Sequence, residues 1–203
     1  MGNSVKTRAD AWDMVCRHVQ ERGLRRHMLA VGAAMADYAR RLGEDADYWE
    51  TVGILHDFDW EIHPNLNEHP IKGADILRSE GWDEETIRII LSHYTEGTGI
   101  GREKPIDYAL MACDEITGLI IATTLVKSSR NIAEVTTDSL RKKWKDRRFA
   151  AGVDRDDVTA ATADFSRECF GGTLELWDHI GHVLGAMQTA AAELELDGRL
   201  ATQ

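Results

Sequence analysis

The chain of 203 residues reads as all-α. Two observations predict this. Apolar residues recur at the i, i+3, i+4 spacing of a helix face in segment after segment, while two-residue alternation of the β type is scarce. Helix punctuation falls between those segments, with glycines at 23, 43 and 81 as stops and aspartates at 45, 47 and 83 as starts. With only three prolines and seventeen glycines, little of the chain is composed for disorder, and its length suits a single hydrophobic core.

Taken in order, the periodicity predicts a first helix over residues 7–21 and a second over 24–42. A third, begun by Asp45 or Asp47, ends near Asp57. After a loop containing Pro64 and Asn65, a fourth opens around His69 and Pro70, where proline is tolerated in a first turn, and closes at Gly81. Asp83 caps the next, with Glu84 and Glu85 at its positive end. "TEGTGIGREKP" reads as a loop before a long helix over 106–126. "KSSRN" is a break, 137–149 a basic helix, Asp154 the start of another, and "GG" at 171 and 172 separates it from a last helix over 173–196.

Composition narrows the function classes. The formal net charge of −11 argues against binding a nucleic-acid polymer or an anionic membrane, since both need a basic face. Cys16, Cys113 and Cys169 are odd in number and form no C-x-x-C pair, so neither a disulfide framework nor a thiolate zinc site is expected. The N-terminal decapeptide carries no signal-peptide pattern, and the longest apolar stretch, 118–126, is well short of the ~20 residues that span a bilayer. A cytoplasmic protein is the expectation.

The informative residues are polar groups on apolar faces. On the second helix, His27 sits inside the stripe Leu24, Met28, Val31, Met35, Tyr38; on the long helix, Asp114 sits inside Leu110, Met111, Thr117, Ile121, Leu125. A buried carboxylate needs a cation, a hydrogen-bond network or a metal to offset lost hydration. His56 and Asp57 end the third apolar helix, His69 begins the fourth, and His93 lies one turn beyond Ile89 and Ile90. Singly, each has an ordinary structural explanation. Together, one metal site explains all of them, and imidazole nitrogen with carboxylate oxygen suits Fe, Mn, Zn, Ni or Co, and Mg where waters complete the shell.

The order H … HD … D, carried by His27, His56, Asp57 and Asp114, resembles the HD-domain metal-dependent phosphohydrolase superfamily. "HPIKGADIL" at 69–77 and "ILSHY" at 90–94 look like the segments that hold a second metal in dinuclear members. The resemblance implies an all-helical, single-domain bundle with the metal-binding core at about 22–126 and a helical extension over 127–203. It implies two divalent cations, one on His27, His56, Asp57 and Asp114, the other on His69 and His93 with Asp57 bridging. The implied activity is phosphoester hydrolysis in a small phosphorylated metabolite or nucleotide by a metal-bound hydroxide. Nearly the same ligand set serves mixed-valent diiron oxygenases that cleave C–H, C–C or C–P bonds, and a third alternative is a non-catalytic regulatory module. The chain departs from several HD groups at Phe58-Asp59-Trp60, where they carry Ile-Gly-Lys. Asp59 and Glu61 flank the position of an expected acid and are the candidate proton donors.

A phosphorylated substrate also wants cations. Residues 127–148 hold eight basic side chains against Glu134, Asp138 and Asp146 and read mainly as a solvated helix face. Lys127, Ser128, Ser129 and Arg130, directly after the helix that carries Asp114, are the better phosphate contacts, with Lys72 as another. His63 is equally a turn residue or a ligand, while His18, His179 and His182 are expected to be structural.

Overall fold

The computed structural model describes residues 6–202. Its helices are α1 (Arg8–His18), α2 (Arg22–Leu42), α3 (Ala46–Leu55), α4 (Ile71–Ser79), α5 (Glu84–Ser92), α6 (Thr95–Thr98), α7 (Pro105–Leu125), α8 (Thr137–Trp144), α9 (Arg155–Phe170) and α10 (Leu176–Thr189). No strand occurs among the described residues, only an isolated bridge between Asn131 and Asp197.

The caps explain the boundaries. Thr7 and Asp10 form a reciprocal capping box at α1, Asp45 accepts from two backbone N–H groups at α3, and Asp83 accepts from Thr86 at α5. Gly43 and Gly81 end their helices in the left-handed conformation. Gly23 does not act as a stop. It lies in the first turn of α2, because the Glu21 carboxylate caps the Leu24 N–H and the chain turns earlier, at Val19–Gln20–Glu21.

Three further expectations are corrected. Residues 95–98 form one helical turn within the glycine-rich segment. The basic helix stops at Trp144 instead of 149. The last helix spans only Leu176–Thr189, because residues 190–198 turn back to place Leu196 O on the Ile132 N–H at 2.7 Å.

α2, α3 and α7 are the frame of the site. Their inward faces supply Met28, Val31, Met35, Val52, Ile54, Leu55, Leu110, Cys113 and Ile116 to one continuous core, which α9 and α10 complete with Phe165, Val183 and Met187. α7 is long and apolar enough to cross a membrane, with 56% of its apolar window buried; helix packing accounts for that apolarity. α2 and α3 meet at two glycines, where a Cβ on Gly53 would lie 2.8 Å from the Gly32 Cα. This contact admits no side chain on either helix, and it carries the end of α3 against the first half of α2. His56 thereby faces His27, with ring centroids 5.3 Å apart.

Candidate metal centre

Four imidazoles and two carboxylates converge from α2, the end of α3, the start of α4, the end of α5 and the middle of α7. They fall into two groups of three: His27, His56 and Asp114, and Asp57, His69 and His93. In the first, His27 Nε2 lies 3.0 Å and His56 Nε2 3.5 Å from Asp114 Oδ1. Asp57 also faces the first group. Its Oδ2 is 3.5 Å from His56 Nε2 and 3.7 Å from His27 Nε2, while its Oδ1 is 3.3 Å from His69 Nε2 and 3.8 Å from His93 Nε2.

Each imidazole is held by its other nitrogen. His56 Nδ1–H donates to Gly53 O at 2.8 Å, and His93 Nδ1–H donates to Ile90 O. His69 Nδ1–H donates to Asp59 Oδ1 at 2.8 Å. The Thr117 hydroxyl gives its proton to Asp114 O at 2.8 Å, so it accepts from His27 Nδ1–H at 3.0 Å. When neutral, each of the four rings thus presents an Nε2 lone pair inward, the tautomer that a metal ligand requires.

Two features show that this donor set fits cations. His56 Nε2 is wholly buried without a hydrogen-bond partner, a state that costs free energy unless something binds there. His69 Nε2 and His93 Nε2 stand 3.1 Å apart, so their lone pairs repel unless a positive charge lies between them.

The electrostatics agree. Burial pulls the His56 pKa down, but Asp57 and then Asp114 outweigh it and hold it up to about 9. Burial would raise the Asp114 carboxyl, yet the imidazoles of His27 and His56 beside it hold it well below the ordinary range. His93 is lowered by burial, aided by the neighbouring His56 and His69.

Asp59 lies behind the site, wholly buried and bonded to His69, and its Oδ2 has no partner. α4 packs directly on it: a Cβ on Gly73 would come within 2.5 Å of its carboxyl carbon. This positions His69 and keeps Asp59 away from the cleft. Glu61 accepts from the Gln20 and Glu21 N–H groups at 2.7 and 2.9 Å, tying the loop after α3 to the turn before α2. Lys72 is exposed and paired with Glu68, and His63 lies 3.8 Å from Glu68.

Lys127, Ser128, Ser129 and Arg130 do not line the metal-centre cleft. At 1.5 Å per residue, α7 carries its C-terminal end at Leu125 about 16 Å beyond Asp114. There Arg130 donates to Leu200 O. In the basic helix, Arg141 lies over the Trp177 ring at 4.1 Å. His179 is a core residue between Tyr38 and Ala112 O.

The cleft over the two groups has a volume of about 360 Å³, and its walls include Trp60, Tyr94, Met111, Glu115, Gly118, Gly152 and Val153. Glu115 escaped the sequence reading, although it adjoins Asp114. Burial and the Asp114 charge push its carboxyl up to about 7, and its Oε2 accepts from the Asp154 N–H at 3.1 Å. The wall at Gly152 and Val153 depends on Arg155, only 1% exposed, which donates to the carbonyls of Phe149, Ala150 and Val153. A buried arginine serving loop carbonyls 2 to 6 positions away leaves no mark in a helix-periodicity pattern.

A family model described as the HD domain matches residues 24–119. Comparison with curated proteins and with solved structures gives no match.

Proposed function

With an HD domain at residues 24–119 as the premise, we propose that this protein is a metal-dependent hydrolase that cleaves a phosphoester bond in a small substrate. The observation that carries the proposal is Asp57, whose two oxygens face separate groups of imidazole and carboxylate ligands. Asp57 Oδ2 with His27, His56 and Asp114 would hold one divalent cation, and Asp57 Oδ1 with His69 and His93 the other. When bound, such a pair lowers the pKa of water and neutralises charge on a phosphoryl group during in-line displacement.

The protein's own groups supply the rest. Gly53 O, Thr117, Asp59 and Ile90 O fix the four rings, so the ligand geometry is set before substrate arrives. Trp60, Met111 and Val153 wall the cleft and limit water. Glu115 is the carboxyl of the cleft that belongs to neither ligand group, and in this reading it gives a proton to the departing alcohol. The oxygen of water joins phosphorus as the bond from phosphorus to the alcohol oxygen breaks.

The test is phosphate release from a panel of phosphomonoesters by protein loaded in turn with Mn, Mg, Co, Ni, Zn and Fe(II). Glu115→Gln keeps an acceptor for the Asp154 N–H but has no proton to give. It is expected to lower kcat about 10²-fold, within the range for general acid catalysis, with metal content unchanged. Stoichiometric iron with a mixed-valent signal, dioxygen consumption and no phosphate release would refute hydrolysis in favour of oxygenase chemistry.

A further inference from the structure

The cleft over the metal centre does not end at its own walls. His27, Trp60 and Gly118 also line a second, larger groove of about 570 Å³, completed by Leu24, Pro64 and Ile121, with Glu21 and Glu61 also in its lining. From this continuity we infer that the groove is the subsite for the non-reacting half of the substrate, and that the substrate is a phosphomonoester of a neutral, apolar alcohol. The inference rests on the phosphoester reading and narrows it.

Two observations select this class. Among the described residues no lysine or arginine lines either the cleft or the groove, so an anionic group beyond the cation-binding residues meets no side-chain cation there. It would instead face the acidic side chains of Glu115, Glu21 and Glu61. A nucleoside di- or triphosphate is therefore poorly served. The groove does offer apolar surface: Leu24 and Ile121 are only partly buried against the core, and the Trp60 ring stands edge-on to His69 at 4.9 Å, between the metal centre and the groove.

Gly118 lies at the junction. It sits one helical turn beyond Asp114, and a Cβ there would already be 3.0 Å from Val153 Cγ2. A larger side chain would close the passage between cleft and groove without replacing a ligand.

The experiment measures dissociation constants of n-alkylphosphonates from two to eight carbons on the Mn-loaded protein by calorimetry, alongside turnover of the matching n-alkyl phosphates and of nucleoside triphosphates. Each added methylene is expected to tighten phosphonate binding about two- to fourfold until the groove is filled, the range for partial to full burial. Gly118→Leu and Ile121→Glu are expected to flatten that series while metal content, read by elemental analysis, stays at the wild-type level. A flat series in the wild-type protein, or an equally steep one in Ile121→Glu, overturns the subsite. Preference for nucleoside triphosphates over the octyl ester overturns it as well. The underlying reading fails separately: steep phosphonate binding with no ester turned over supports the groove and removes the hydrolase, whereas turnover with flat binding removes the groove alone.

Discussion

Asp107 and Asp114 stand two turns apart on α7, and they meet opposite surroundings. Asp107 has no exposed surface; it accepts two hydrogen bonds from Arg88, both at 2.9 Å, and two more from the Glu103 and Lys104 N–H groups at 2.8 and 2.9 Å. It is an ion pair and a helix cap at once, with every lone pair answered from within the protein. Asp114 has only imidazoles beside it, and those rings spend their N–H groups elsewhere. A buried carboxylate with a permanent cation supports the fold; one surrounded by neutral nitrogen donors awaits a charge from outside.

Substitutions should separate the two roles. The largest effect is expected at the shared carboxylate: Asp57→Ala loses both cations, and turnover falls at least ~10³-fold, as for removal of a group on which the whole centre depends. Above pH 9, where the His56 ring is neutral, the melting temperature of the chelated variant should stay close to that of the chelated parent.

Asp107→Ala should do the reverse. Arg88 keeps Glu85, but losing its buried partner and the cap on the Glu103 and Lys104 N–H groups costs about 3 kcal/mol, or roughly a 6–12 °C fall in melting temperature for a chain of this size, with metal content unchanged. Equal metal loss in both variants would erase the distinction.

A smaller effect sharpens the contrast within the centre itself. His69 is held by a carboxylate, whereas His56 is held by a backbone carbonyl. Asp59→Asn should therefore weaken the second cation about 10- to 100-fold by titration while the first binds as before.

The smallest effect is in pH. In metal-free protein the His56 pKa is raised from 6.5 to about 9, so its contribution to stability is fully present below pH 6.5 and is lost as pH rises through 9. The melting temperature of the chelated protein should fall across that window. In loaded protein this fall should be absent, because cation binding already requires the deprotonated ring.

Much of this was legible in the sequence because helix periodicity reports which face a residue occupies. His27 and Asp114 interrupt apolar stripes, and those stripes do pack against one another through α2 and α7. Periodicity carries no tertiary distance, however. Lys127 to Arg130 follow Asp114 in the chain and end up at the far end of the same helix. Asp59, two residues from Asp57, turns away to hold His69 from behind, an outcome decided by the close approach of Gly73 on α4. Glu115 and the loop anchored by Arg155 were missed for a related reason: each acquires its place from a partner outside its own helix.

The central claim is that one carboxylate joins two cation sites. Metal analysis of the Mn-loaded wild-type protein with low-temperature electron paramagnetic resonance tests it most directly. The account predicts two Mn per chain with an exchange-coupled signal, reduced to a single uncoupled Mn in His69→Ala. One Mn per chain in the wild-type protein, or two that show no coupling, would contradict it.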